Sequence, residues 1–295
     1  MSSKKLGRLQ LQRELNGWLF VLPMLVFFIA FVVYPILSSI KSSLYGFDYT
    51  EYYWAGLDNY RTILQDELFR KSVSNTLLFV VLLVPAVTVL SLFLSVLINT
   101  HSNKMQSFLK ATFYIPGVTS LVSLAMVWEY IYNNQFGLAN YALKTLGMAP
   151  VNFLGADWAY FSLTLILLTT SIGSSIVIFT AALNGIPAEL YESASLDGAK
   201  PVRTFVSITL PMLKPTLLYV VVTSTIGAFQ IFAIILLMTG GGPAYKTTTI
   251  LMLIYREAFI NMNFGIANAM GIVLCVIICL IAFLQFKVLK SDVEY

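Results

Sequence analysis

The sequence predicts an all-α integral membrane protein with six transmembrane helices, N-terminus and C-terminus cytoplasmic, and a short cytoplasmic helix between spans four and five. Three observations predict it. Hydrophobic residues make up 58% of the 295 positions and charged residues 11%, with a mean hydropathy of +0.81, whereas a soluble domain carries roughly 25% charge. The charges leave six long charge-free stretches, residues 15–40, 72–103, 111–128, 158–188, 215–245 and 258–286, and a bilayer-spanning helix needs about 17–25 apolar residues. The next gap, 130–143, is shorter and holds Asn133, Asn134, Gln135 and Asn140, so it does not cross. Finally, lysine and arginine gather on the connections that this threading places inside.

These features exclude a soluble enzyme, a disulfide scaffold, and a collagenous or disordered chain. An outer-membrane barrel is excluded as well, because its strands alternate over about 10 residues instead of running continuously apolar. Cys275 and Cys279 both fall in the sixth stretch, where a thiol acts as a small hydrophobe. His101 is the only histidine, which leaves no metal cluster. The net charge of +4 is explained by cytoplasmic loops and calls for no nucleic acid.

Residues 1–17 form a basic arm, with Lys4, Lys5, Arg8 and Arg13 against Glu14, and this sets the N-terminus inside. One six-span domain follows over 18–290, with spans near 18–40, 75–98, 111–132, 159–183, 216–238 and 266–287, and a tail at 291–295. The first apolar run continues to Ile40 without a small-residue cleavage site, so it reads as an uncleaved helix and not a signal peptide. The external segment 41–71 carries Tyr45, Phe47, Tyr49, Tyr52, Tyr53, Trp54 and Tyr60, suited to an interface belt or a packed cap. Lys104 and Lys110 mark a short internal turn between spans two and three.

The internal loop 184–215 is the most informative segment. Pro187 suits a first helical position, and Glu189 and Glu192 sit in the first turns, where acids oppose the helix dipole. Gly198 suits a left-handed stop and Pro201 a second start. Leu190, Tyr191 and Ala194 share one face of the first helix; Val202, Phe205, Thr209 and Met212 fall on one side of the second. The plain alternative is an amphipathic turn on the membrane surface. Such helices are usually basic, whereas here Lys200, Arg203 and Lys214 are balanced by Glu189, Glu192 and Asp197, which favours a protein partner over anionic lipid.

The string Glu192-Ser193-Ala194, then Asp197-Gly198-Ala199, Phe205 and Leu210-Pro211 resembles the cytoplasmic EAA loop of binding-protein-dependent ABC importer permeases, especially the maltose-type carbohydrate-uptake branch. Ser193 stands where alanine is usual. Trp54-Ala55-Gly56-Leu57-Asp58-Asn59-Tyr60 and Thr239-Gly240-Gly241-Gly242-Pro243, with Tyr255, Ala258 and Phe259, are similar to that branch's first and last external loops. The resemblance runs from about Trp18 to the C-terminus. It implies a multi-pass protein of a bacterial or archaeal cytoplasmic (inner) membrane, paired with a second homologous permease and served by an extracytoplasmic solute-binding protein. It also implies a cytoplasmic ABC ATPase dimer that couples through Glu192, Ser193, Ala194, Asp197, Gly198 and Ala199. No Gly-x-x-x-x-Gly-Lys-Ser/Thr loop occurs. This chain therefore carries no cofactor and no catalytic residue, and ATP and magnesium are expected on the partner ATPase.

A sugar needs neutral hydrogen-bonding groups and aromatic faces. Span four offers Thr169, Thr170, Ser171, Ser174 and Ser175 around Gly173, and span five offers Thr223, Ser224, Thr225, Phe229 and Gln230. Thr170, Ser171, Ser174, Ser224, Phe229 and Gln230 are the candidate substrate-pathway residues. The competing reading is helix packing, the commoner use of Ser, Thr and Gly between spans. Glu129, the one acid within a span, lies near its outer end, where it can snorkel. Pro23, Pro85 and Pro116 lie inside spans and are expected to kink them. Import of another small polar solute by the same kind of permease stays open. An ion-coupled carrier would call for a midplane carboxylate, or broken helices aligned with repeats, and neither is read here.

Overall fold

The computed structural model describes residues 17–47 and 51–289; the basic arm, Tyr49 and the C-terminal tail lie outside the described residues. The chain divides into two compact units: residues up to Ile63 with Glu257–Ile272, and Leu64–Arg256 with residues from Val273 onward.

In the first unit, α1 (Gly17–Ser42) contains a π-helical turn at Ile29–Val33 and buries none of its residues. Its apolar surface needs a nonaqueous surrounding, which fits a bilayer. A two-stranded antiparallel hairpin follows, β1 (Tyr45–Phe47) and β2 (Tyr52–Trp54), with Tyr45 opposite Trp54 and their rings edge-on at 5.2 Å. Aromatic residues suit strands, and such cross-strand pairs stabilise them. Asn59, in α2 (Asp58–Gln65), donates its amide to the carbonyls of Ser43 (2.8 Å) and Tyr45 (2.9 Å), while Tyr60 and Ser43 share a hydroxyl bond of 2.7 Å. The described part of the aromatic loop is therefore a packed cap, and Asn59 of the Trp54–Tyr60 string fastens it.

The second unit is built around α3 (Glu67–Asn99), whose first turn is capped by the Asp66 carboxylate accepting from the Leu68 amide at 2.9 Å. Helix α3 buries Ser72, Asn75, Thr76, Thr88, Ser91 and Ser95, so these polar side chains look into protein. Next come α4 (Asn103–Val118), α5 (Leu121–Ile131), α6 (Leu138–Thr145) and α7 (Ala159–Asn184). The axes of α4 and α5 differ by 97° across Thr119 and Ser120. The stretch read as one span over 111–132 is thus two helices.

A Cβ on Gly173 of α7 would lie 2.3 Å from the Phe113 carbonyl oxygen, and one on Gly117 of α4 would lie 2.9 Å from that of Thr170. The two glycines let α4 and α7 meet backbone to backbone.

Two short helices, α8 (Ala188–Leu196) and α9 (Pro201–Met212), lead into α10 (Lys214–Phe229), with a 67° bend between α9 and α10. After Gln230–Phe232 the chain resumes as α11 (Ala233–Met238), so the expected span 216–238 is interrupted; α12 (Ile250–Tyr255) and α13 (Phe264–Leu289) complete the fold. Phe79, Leu83, Val87, Leu163, Ile166, Ala228, Ile235 and Met252 form the main core. Among the described residues, four helices are long and apolar enough to cross a membrane, or six if each bent pair is one crossing.

The loop 239–249 is held by side chains from its own chain and from α3 and α7. Asn75 donates to the carbonyls of Tyr245 and Thr248, each at 2.9 Å, and accepts from the Tyr160 hydroxyl at 2.7 Å. Thr247, Thr248 and Thr249 are fully buried, and their hydroxyls donate to Gly242, Gly241 and Ile231 carbonyls. Gly240 and Gly241 take φ of +57° and +87°, open to glycine at no steric cost.

Candidate functional site

Two places carry the candidate residues, a cavity among α3, α7 and α10, and the α8–α9 loop. The cavity has a volume of about 350 Å³. Helix α7 presents Ser171, Ser174 and Ser175, spaced i, i+3 and i+4 on one face. Helix α10 presents Tyr219, Thr223, Ser224 and Gly227, while α3 closes the apolar side with Leu83 and Val87. No charged residue lines it.

This geometry divides the sequence candidates. Ser171, Ser174 and Ser224 meet in the cavity. Thr170 does not line it; its hydroxyl bonds the Leu167 carbonyl at 2.8 Å within its own helix. Phe229 is buried at 1% exposure and packs inside the protein. Gln230 is exposed at the C-terminal end of α10, where its backbone N–H donates to the Gly227 carbonyl, and it too lies off the cavity lining. Helix α10 stops at Gln230, and the lining passes over that side chain, from Gly227 and Ala228 to Ile231. Tyr219 was not read as a candidate, although it lies one turn before Thr223 and gives the cavity its aromatic wall. Glu129 is exposed near the end of α5 and also lies off the lining.

At the loop, α8 ends in a complete Schellman motif. Gly198 has φ +67°, its amide donates to the Ser195 carbonyl at 3.0 Å, and the Ala199 amide donates to the Ala194 carbonyl at 2.9 Å. Pro201 opens α9 at its first turn, as the sequence implied, while Pro187 stands one position earlier than read, as the N-cap of α8. Ala194 is buried and Ala199 half-buried, whereas Glu192, Ser193, Asp197 and Gly198 are exposed. The Tyr191 and Thr209 hydroxyls, 3.0 Å apart, tie α8 to α9. Thr209 is buried and Phe205 and Met212 are half-buried, but Val202 is 76% exposed and Leu196 90%. Val202 thus leaves the face it was expected to share. The loop shows water an exposed apolar tip flanked by Asp197, Lys200 and Arg203, while its inner side is packed.

Among the described residues no group of three or more His, Cys, Asp or Glu could hold a metal. The uncharged cavity and the α8–α9 loop stand on an apolar multi-helix frame, the arrangement of an integral membrane protein. Residues 67–295 match the family described as binding-protein-dependent transport system inner membrane components, and the chain belongs to that family. The trehalose/maltose transport system permease protein MalF of Thermococcus litoralis is 32% identical over 293 residues, covering 98% of this chain and 98% of the relative. The lactose transport system permease protein LacF of Rhizobium radiobacter is 30% identical over 292 residues, 97% of this chain and 98% of the relative. A bacterial ABC transporter, described as importing the acidic polysaccharide alginate, contains a chain that shares the fold at a TM-score of 0.82 and 24% identity, over 97% of this chain and 98% of that one. The protein is an integral, multi-pass transport permease of the ABC class.

Proposed function

We propose that this chain moves a sugar or short oligosaccharide, delivered by an extracytoplasmic solute-binding protein, across a bacterial or archaeal cytoplasmic membrane. A second homologous permease completes the path. A cytoplasmic ATPase dimer, which holds ATP and magnesium, docks on residues 187–200. With each bent pair taken as one crossing the chain has six spans, and the positive-inside bias favours both termini and the α8–α9 loop on the cytoplasmic face.

The observation that carries this reading is the α8–α9 loop. Its inner side is locked by the Schellman turn and the Tyr191–Thr209 bond, while Glu192, Asp197 and Leu196 stay open to a partner. The likeness to sugar permeases along nearly the whole chain supports the cargo class. An ion-coupled carrier is less well supported, because no carboxylate lines the cavity. The test is reconstitution into liposomes with the partner permease, ATPase and binding protein. Accumulation of labelled sugar should require ATP; accumulation driven by an ion gradient without ATP would refute the assignment.

A further inference from the structure

Most hydroxyls within the helices are already committed. Thr88, Thr169, Thr170, Ser174, Thr180, Thr223 and Thr225 each donate to a carbonyl of their own helix at 2.6–3.1 Å, and Ser95 donates to the Ile176 carbonyl. Three serine hydroxyls in the cavity are not. Ser171, Ser175 and Ser224 have no hydrogen-bond partner among the described residues. Ser175 is 5% exposed, so it is buried, unpartnered and open only to the cavity. Its hydroxyl is thus free to donate to and accept from a ligand in the cavity. Ser171 and Ser175 stand about 6 Å apart along the axis of α7, and Ser224 approaches from α10.

We infer that Ser171, Ser175 and Ser224 form an uncharged hydrogen-bonding face that selects a neutral, polyhydroxylated solute, a non-ionic glycoside, over anionic ones. The inference rests on the sugar-permease reading and narrows it. Hydroxyls both donate and accept, which matches sugar hydroxyls. A carboxylate or phosphate would enter an apolar-walled cavity with no cation to meet it, and burying an unpaired charge is strongly unfavourable.

The test uses the assembled complex in lipid nanodiscs, without binding protein, so that the permease itself is probed. Labelled maltose, trehalose and lactose are compared with sn-glycerol 3-phosphate and a uronate disaccharide. A neutral sugar should bind and the two anions should not. Ser175→Ala should weaken binding about fivefold, the effect of one lost neutral hydrogen bond, and the Ser171/Ser175/Ser224 triple alanine variant should weaken it tenfold or more. Recovery of assembled complex should be unchanged. Thr180→Val, on the same helix with a committed hydroxyl outside the cavity, should bind as wild type. Wild-type affinity in the triple variant, or equal binding of an anion, overturns the inference while leaving sugar transport standing. Failure of every sugar, both to bind and to be taken up by the reconstituted system, overturns the sugar reading and this inference together.

Discussion

The side-chain amide of Gln285, on α13, donates to the hydroxyl of Thr225, on α10, at 2.7 Å. Thr225 is 1% exposed, and its hydroxyl donates a hydrogen bond to the Val221 carbonyl at 2.7 Å. The Gln285 Oε1 is buried with no hydrogen-bond partner among the described residues.

This pair should respond asymmetrically to substitution. Thr225→Val strands the Gln285 amide and should destabilise the assembled complex by about 1–3 kcal/mol. Gln285→Leu also removes the unpaired oxygen, so its effect should stay within about 0.6 kcal/mol, the usual worth of an interhelical bond in a membrane. The double variant should melt above Thr225→Val alone. Thermal unfolding in detergent reads all three, and equal losses for the two single variants would contradict the pairing.

Gly173 and Gly227 should behave oppositely. A methyl on Gly173 meets the Phe113 carbonyl and the Tyr114 Cα, at 2.3 and 2.7 Å, both backbone atoms, so Gly173→Ala must force α4 and α7 apart at about 1–3 kcal/mol. Gly227 faces the cavity with nothing within 4 Å. Gly227→Ala should gain up to about 1 kcal/mol of helix stability while narrowing the cavity. Melting temperature should fall in the first variant and hold or rise in the second.

Asn75→Leu should loosen the 239–249 loop. It leaves the Tyr245 and Thr248 carbonyls without the Asn75 amide and the Tyr160 hydroxyl without its side-chain acceptor, and each unsatisfied group is unfavourable by about 1–3 kcal/mol. Limited proteolysis within the loop should accelerate at least tenfold. Lys71→Met, which removes only an exposed bond to the Ala244 carbonyl, serves as the mild comparison.

Gly198→Val tests the loop. A Cβ there meets nothing within 4 Å, so the whole effect is the left-handed φ, unfavourable by about 1–2 kcal/mol for a residue with a side chain. The Schellman turn should give way and α8 should tilt against α9. ATPase recovered with the complex should drop, or hydrolysis should continue without uptake. Normal uptake together with normal hydrolysis would remove the loop from the coupling role.

Topology is read by thiol labelling in intact cells, in a chain with Cys275 and Cys279 replaced by serine. Lys5→Cys and Ser195→Cys should resist an impermeant reagent, and Lys144→Cys should react. Reaction at position 195 would invert the threading.

The sequence made the loop legible and left the breaks hidden, for a physical reason. Gly198 and Pro201 act locally, through φ alone, so their roles follow from residue type. Asn59, in the Trp54–Tyr60 string, fastens the hairpin through carbonyls 14 and 16 residues away, and no spacing rule announces such bonds. The bend at Thr119–Ser120 sits inside a charge-free run, so composition read one span where tertiary packing makes two helices. The serine cluster of span four was visible as a cluster. Which member faces the cavity depends on how α7 is turned, because Gly173 must face α4, and that is a property of the pair of helices. Gln230 was a candidate by residue type, yet α10 ends at it and its side chain lies off the cavity that Tyr219 walls.

The corner between α4 and α5 also says what can surround this chain. A helix end leaves carbonyls that have no partner of their own, and hydrocarbon offers no donors to them. Thr119 and Ser120 are both exposed on this chain alone. Within the hydrocarbon, lipid therefore cannot be the neighbour on that side: a corner at that depth borders water or other polypeptide, whereas one at headgroup level meets the polar interface.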